Sequence, residues 1–304
     1  MYLKIPIVLS TDHTYVVPTG VTIHSFLSSG EFYDIYVICD NDVTERDREL
    51  LSTEVVSKSK LSTITFLNLG EFFNDSYIDR HLTKASYGRL LIPWLLPQYD
   101  KIIYCDSDMI FNIRLGELFI DINLDDYYCA GVKILFEENT TFYSYVRNLK
   151  LNPLNYINAG FLILNCKKLR EDQLKDKLID LSKKSFKYHD QDIINIVFKN
   201  KIKLLDQKYN VPDYRMSPEW LSKNYIIHYV GRKPWAYLKK CWLEWWLVYR
   251  ETSFFDYQFY FNSTQKIIFN SKEVNKAQPL LYLIFAKIMS LTKKAKNYIL
   301  HARI

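Results

Sequence analysis

Within the first 105 residues, four short apolar runs alternate with three stretches of helical pattern, and no other feature of the chain restricts its fold as much. Residues 5–9, 34–39, 62–67 and 102–105 read as strands. Residues 17–27, 44–57 and 84–96 read as helices. Pro18 fits only in the first turn of its helix. Thr44 and Asp47 form a variant capping box, and Pro93 kinks or breaks the third helix. This alternation implies a mostly parallel, Rossmann-like sheet whose ligands gather at the C-terminal ends of the strands. The second half is less regular. Residues 127–132, 159–164 and 225–229 are strand-like, and 167–181 and 190–198 are helical. There is no internal repeat and no low-complexity linker.

The fourth apolar run ends abruptly in two carboxylates, in the stretch KIIYCDSD from Lys101 to Asp108. Asp106 and Asp108 at the lip of a sheet make a seat for a hard divalent cation, which can neutralise a diphosphate and help it leave. Two other readings stay open on these residues. Asp often ends a strand because it starts turns and accepts backbone hydrogen bonds. A strand followed by DxD also resembles phosphohydrolases of the haloacid-dehalogenase type, in which the first Asp is a nucleophile. There the positions of Met109 and Ile110 would carry Thr or Val and usually Gly, so the match is poor.

The 304 residues suffice for one large α/β domain plus an appendage, and 48% hydrophobic content excludes a disordered chain. Aromatic residues make up 16%, with 24 Tyr; such rings line carbohydrate sites but more often fill cores. With 8 Gly and neither GxGxxG nor GxxxxGK[ST], any nucleotide phosphate is held without a glycine cradle. Cys39, Cys105, Cys129, Cys166 and Cys241 form no CxxC, which argues against a thiolate zinc site and suits a reducing cytosol. The opening MYLKIPIVLSTD has no long apolar run after a basic start, so no signal peptide is expected. Residues 264–304 hold eight Lys or Arg and one Glu, so the first 263 residues sum to −1 of the net +6. A body without excess positive charge argues against nucleic acid as a partner.

From Trp235 onward the chain changes character. Trp235, Trp242, Trp245 and Trp246 precede a run of Tyr and Phe, and the last forty residues join an apolar stretch, 280–291, to Lys293, Lys294, Lys296 and Arg303. We divide the chain at 1–250, a catalytic domain, and 251–304, an aromatic and basic helical region. The apolar stretch is short for a bilayer span. Its pattern fits a helix lying on an anionic membrane surface, or one docked on the body or on a second subunit.

Polar residues recur where strands and loops should end. Ser10-Thr11-Asp12 follows the first strand, and SYGRLLIPWLLPQYDKIIYCDSD, INAGFLILN, YHDQDIIN and HYVGRKPW follow in order. This set, from about residue 5 to 235, resembles glycosyltransferase family 8, retaining enzymes of the GT-A fold that include bacterial lipopolysaccharide galactosyl- and glucosyltransferases. The resemblance implies an α/β, GT-A fold, Rossmann-like mixed sheet flanked by helices. It implies a metal-dependent hexosyltransferase taking galactose or glucose from a UDP-sugar to a cell-envelope glycan or lipid-linked acceptor. By the same resemblance, Asp106, Asp108 and His228 would bind Mn²⁺, with Mg²⁺ as the alternative. Ser10, Asp12 and Thr14 would face the uridine, although the family often has Asn where Thr14 stands. Ser107 would approach the ribose, and Gly231 and Lys233 the diphosphate. Arg89, Asp190 and Asn158 would bind the sugar hydroxyls. Gln191 would lie nearest the anomeric carbon, where an amide is a poor nucleophile, which favours front-side attack over double displacement. Without the resemblance, Asp190 reads as a helix N-cap, His228 as an ordinary core or surface histidine and Lys233 as a solvated lysine. A binding protein that has lost catalysis would share these motifs. The tail then implies a cytoplasmic enzyme, peripheral on the inner face of the membrane.

Overall fold

The structure is a computed structural model that describes residues 3–77, 84–138, 140–215, 224–231, 233–235 and 243–260. Two compact units divide them. Residues up to 234 with 239–255 make the first; Trp235 and 256–260 belong to the second. In the second, the Asp256 carboxylate accepts from the N–H groups of Gln258 at 2.7 Å and Phe259 at 3.1 Å and so starts a helical turn. Every other element lies in the first unit.

Its strands, in chain order, are β1 (Lys4–Thr11), β2 (Phe32–Cys39), β3 (Thr63–Asn68), β4 (Lys101–Cys105), β5 (Met109–Phe111), β6 (Cys129–Lys133), β7 (Ile157–Asn165), β8 (Ile202–Leu204), β9 (Val211–Pro212) and β10 (Ile226–His228). Seven of them form one sheet in the order β3-β2-β1-β4-β7-β6-β8, and β5-β10-β9 form a smaller one. β3, β2, β1 and β4 run parallel, as the strand–helix alternation predicts. β7 runs antiparallel to both β4 and β6, so the sheet is mixed.

Alternation along each strand supplies two cores. Ile5, Ile7 and Leu9 of β1 and Ile103 and Cys105 of β4 pack into one, on the side of the helices Val16–Leu27 and Glu45–Lys58. Val8, Ile102 and Tyr104 face the other, with Ile193 and Ile194 of the helix His189–Val197. Thr44 caps Glu45–Lys58 with Asp47 in the reciprocal box read from the sequence. The helix Val16–Leu27 differs from an ordinary amphipathic helix, since 11 of its residues are buried. Gly20 leaves room for Phe254 there: a Cβ would fall 2.5 Å from that ring.

Three expectations are corrected. Residues 84–96 are not one helix but the helical turn Lys84–Tyr87, the 3-10 segment Gly88–Leu91 and the turn Ile92–Leu95. Pro93 has no N–H for the carbonyl four residues back, and its ring excludes that carbonyl, so the α-helix cannot run through it. Residues 167–181 split into Cys166–Glu171 and Lys175–Ser182, because Gln173 turns left-handed at φ 51°. The strand expected at 159–164 starts two residues earlier, so Asn158 lies second in the nine-residue β7. Among the described residues no helix is long and apolar enough to cross a membrane. The expectation for the basic tail falls on residues 261–304, outside the described residues.

Candidate active site

Successive strands β1, β2 and β3 wind to one side while β4 lies on the other side of β1, which opens a crevice at the C-terminal ends of β1 and β4. Ser10 is the penultimate residue of β1, and Asp106 directly follows β4. The Ser107 hydroxyl ties the two by donating to the Ser10 carbonyl at 2.6 Å. The buried Ser10 Oγ itself has no hydrogen-bond partner among the described residues. From the helix below, Thr22 Oγ1 lies 3.0 Å from the Ser107 carbonyl and 2.9 Å from that of Met109, gripping the Asp-Ser-Asp turn from both sides.

β10 brings the histidine. It pairs antiparallel with β5, which starts one residue after Asp108, and the register sets His228 opposite Met109. The Tyr229 N–H then donates to the Asp108 carbonyl at 3.0 Å. In consequence His228 Nε2 lies 3.3 Å from Asp108 Oδ1 and 3.6 Å from Asp106 Oδ2. One ligand atom from each of the three residues falls within 4.8 Å of the others. Gly160 makes this approach possible: a Cβ there would stand 2.4 Å from His228 Cε1 and 2.8 Å from Asp106 Oδ2. β7 reaches the site through a bulge, since the β6–β7 register slips between Gly131 and Val132 and bends the strand at Ala159–Phe161.

The donor set suits a divalent cation. Asn210 Oδ1, an acceptor only, lies 2.9 Å from His228 Nδ1, so that nitrogen carries a proton and Nε2 is the ring nitrogen that faces the two carboxylates. Asp106 Oδ1 is occupied by Tyr104 Oη at 2.8 Å and Arg89 Nη2 at 2.8 Å, which leaves Oδ2 turned to His228. Two carboxylate oxygens and an imidazole nitrogen match Mn²⁺ or Mg²⁺ with positions to spare for phosphate oxygens. Lys233 pairs with Asp108 Oδ2 and donates to the Tyr229 carbonyl at 2.8 Å. Although burial acts the other way, the charge of Lys233 and its hydrogen bond hold the Asp108 carboxyl well below the usual range.

Arg89 joins this cluster to the sugar-side residues. It lies 4.4 Å over the Tyr104 ring, donates to the Ala159 carbonyl at 2.7 Å, and pairs through Nε with Asp190 Oδ2 at 3.0 Å. Burial pushes the Asp190 carboxyl up to about 6, against the pull of Arg89. Asp190 is therefore not the N-cap: that position is Tyr188, and Asp190 sits in the first turn with its carboxylate on Arg89. Gln191 Oε1 accepts from Asn158 Nδ2 at 3.1 Å and from the Ala159 N–H at 3.2 Å.

Arg89, Asp106, Ser107, Asp108, Asn158, Asp190, Gln191, His228, Lys233 and Ser10 thus converge at the ends of β1, β4 and β7. Asp12 and Thr14 sit in the turn after β1, where Thr14 donates to Asp12 Oδ1 at 2.7 Å, so the threonine hydroxyl is already engaged. Gly231 takes φ 95°, a region that favours glycine, and a Cβ would meet nothing there. Sequence reading missed Tyr104, Asn210, Thr22 and the steric need for Gly160. A separate cleft of about 450 Å³, lined by residues such as Lys101, Asn123 and Lys168, lies at the opposite end of β4 and contains none of the residues above.

Sheet order and crevice are those of the GT-A fold. Residues 6–239 match the sequence profile of Glycosyl transferase family 8, and the chain belongs to that family. The glycosyltransferase GlyF of Streptococcus pneumoniae is 29% identical, over 81% of this chain and 61% of its own. The lipopolysaccharide 1,2-glucosyltransferase of Escherichia coli is 27% identical, over 74% of this chain and 71% of its own. The chain spans about three fifths of the length of the first curated relatives it matches. Among solved structures, an active-site mutant of LgtC superposes with a TM-score of 0.70 at 21% identity, covering 84% of this chain and 98% of LgtC. The bifunctional glycosyltransferase WbbM gives 0.70 at 24%, covering 87% of this chain and 52% of that one.

Proposed function

We propose that this chain transfers a hexose, galactose or glucose, from a UDP-sugar to a cell-envelope glycan or lipid-linked acceptor with retention at the anomeric carbon. One observation carries the reading: Asp106, Asp108 and, 120 residues further on, His228 bring three ligand atoms together at the switch point of the sheet. A divalent cation there, Mn²⁺ or Mg²⁺, would neutralise the diphosphate. Ser10, with its unspent hydroxyl, Asp12, Thr14 and Ser107 border the crevice on the nucleotide side. Lys233 supplies a point charge for the departing diphosphate, and Gly231 lets the backbone turn close to it. Arg89 and Asp190 present paired charges to the sugar hydroxyls, and Asn158 fixes the Gln191 amide.

No carboxylate stands where Gln191 does. Asp192 is fully buried, with both oxygens accepting tyrosine hydroxyls, and Asp190 is committed to Arg89. We therefore assign front-side attack, in which the acceptor hydroxyl enters on the face the diphosphate leaves and a phosphate oxygen takes its proton. A glycosyl-enzyme adduct on Asp190 or Asp192 in intact-protein mass spectrometry would refute that assignment. We extend the proposal to a peripheral enzyme on the inner membrane face, held by the 251–304 region. Liposome pelleting should fall when 264–304 is deleted, and equal pelleting of both forms would remove the idea.

The donor test is a thermal-shift screen of UDP-galactose, UDP-glucose and UDP-N-acetylglucosamine, each with Mn²⁺. Stabilisation by one of the first two and UDP release on turnover are expected. Asp108→Ala should cut turnover on the order of 10³-fold, the several kcal/mol typical of a lost catalytic metal. Activity within tenfold of wild type would remove the metal from the reading.

A further inference from the structure

Five hydrogen bonds run in one direction from the histidine to a buried carboxylate 36 residues before it in sequence. His228 Nδ1–H donates to Asn210 Oδ1 at 2.9 Å. Asn210 Nδ2 donates to Asn158 Oδ1 at 2.8 Å. Asn158 Nδ2 donates to Gln191 Oε1 at 3.1 Å, and Gln191 Nε2 to Tyr156 Oη at 3.2 Å. The Tyr156 hydroxyl donates to Asp192 Oδ1. No amide in the series can be reversed alone. Turning one would set oxygen against oxygen on one side and nitrogen against nitrogen on the other. The two ends fix the sense. Asp192 is an acceptor only, and it also takes the Tyr145 hydroxyl and the Tyr188 N–H at 2.8 Å. At the other end Nδ1 must carry a proton, and Nε2 is the nitrogen turned toward Asp106 and Asp108.

We propose that Asn210 is the positioning residue of this series. It selects the His228 tautomer and ring orientation that bind the cation, and through Asn158 it joins the metal ligand to the Gln191 amide and ultimately to Asp192. The inference rests on the metal reading above. Bonds in a chain polarise one another, and a donor–acceptor partner behind a ligating imidazole raises its basicity. Asn210 is 4% exposed, directly precedes β9, and spends its side-chain amide on His228 and Asn158. It is therefore a device for orientation rather than contact.

The test is Mn²⁺ affinity of the full chain without donor, followed by electron paramagnetic resonance of free Mn²⁺. Asn210→Ala should weaken binding roughly 10- to 100-fold, the usual effect of losing the partner behind a metal ligand. In a His228→Ala background the same change should add nothing. Tyr156→Phe, which cuts the series two bonds beyond Asn158, should weaken Mn²⁺ several-fold. Tyr145→Phe, which removes another phenol from the same Asp192, should leave it unaltered. Equal effects of the two phenylalanine variants would reduce the series to local packing, and wild-type affinity in a folded Asn210→Ala protein, checked by its melting temperature, would overturn the proposal outright. Failure of the wild-type chain to bind Mn²⁺ would instead defeat the metal reading itself.

Discussion

Arg89 and Asp106 meet at 2.8 Å, Nη2 to Oδ1, with the arginine side chain only 9% exposed. The same guanidinium holds Asp190 at 3.0 Å, so one cation balances two carboxylates. Those carboxylates outweigh burial and raise the arginine's affinity for its proton. Arg89→Met leaves the buried Asp190 and the half-buried Asp106 without their cation. Unfolding free energy in urea should fall by about 3–5 kcal/mol, and Arg89→Lys should restore only part of it, since an ammonium cannot span both sites.

Asp190 gives the pH dependence its sign. Its folded value, about 6, lies above the 3.8 of a free aspartate. Between those values the folded protein keeps a proton that the unfolded chain has lost, so this group's contribution is full below about pH 3.8 and disappears as pH rises through 6. Subtracting the stability–pH curve of Asp190→Asn from that of the metal-free wild type should reveal a fall across this window. A flat or rising difference would contradict the assignment.

Gly160→Ala should behave as a metal-site variant although it adds only a methyl group. The new Cβ would press on His228 and Asp106 together. Mn²⁺ affinity should drop at least tenfold, comparable to loss of a supporting residue, with a stability cost of about 1–3 kcal/mol for overpacking. Titration calorimetry and thermal melts separate the two effects.

A second buried pair lies apart from the site. His24 Nδ1 is 2.6 Å from Glu54 Oε1, and Glu54 Oε2 accepts the Ser253 N–H at 2.6 Å, tying helices Val16–Leu27 and Glu45–Lys58 to the segment after Leu243–Glu251. Burial opposes the charge on Glu54, yet the bonds from His24 and Ser253 lower its carboxyl value. Its stabilisation is thus present above the unfolded value of 4.5 and lost as pH falls through the folded one. Glu54→Leu should cost about 3–5 kcal/mol and speed amide exchange at 243–253. Unchanged exchange there would remove the clamp.

Strand ends were legible because carboxylates and amides at the edge of apolar runs have few structural uses in combination. Asp106 and Asp108 were found in that way, whereas His228, Arg89 and Asp190 came with the motifs of the family resemblance. Asn210 was found by neither route, since it sits in irregular backbone where neither periodicity nor motif marks it. Thr22 was hidden by the opposite cause. Thr19, Thr22, His24 and Ser25 lie in a stretch whose pattern says only helix, yet all four are buried, and Thr22 and His24 spend their hydrogen bonds on Ser107, Met109 and Glu54. The split of 84–96 was half visible at Pro93. The 3-10 segment before it was not, because close packing of Gly88 against Ile38, where a Cβ would come within 2.9 Å, is a tertiary fact.

The reversal of β7 has a consequence for how such a sheet can diversify. β1 and β4 present their last residues to the crevice, whereas β7, running the other way, presents its first. The two halves can therefore be exchanged piecemeal: grafting residues 156–160 and 188–192 from a relative would replace the lining on the hexose side while the uridine side kept its frame. A chimera with altered sugar preference and undiminished UDP affinity would display that modularity directly.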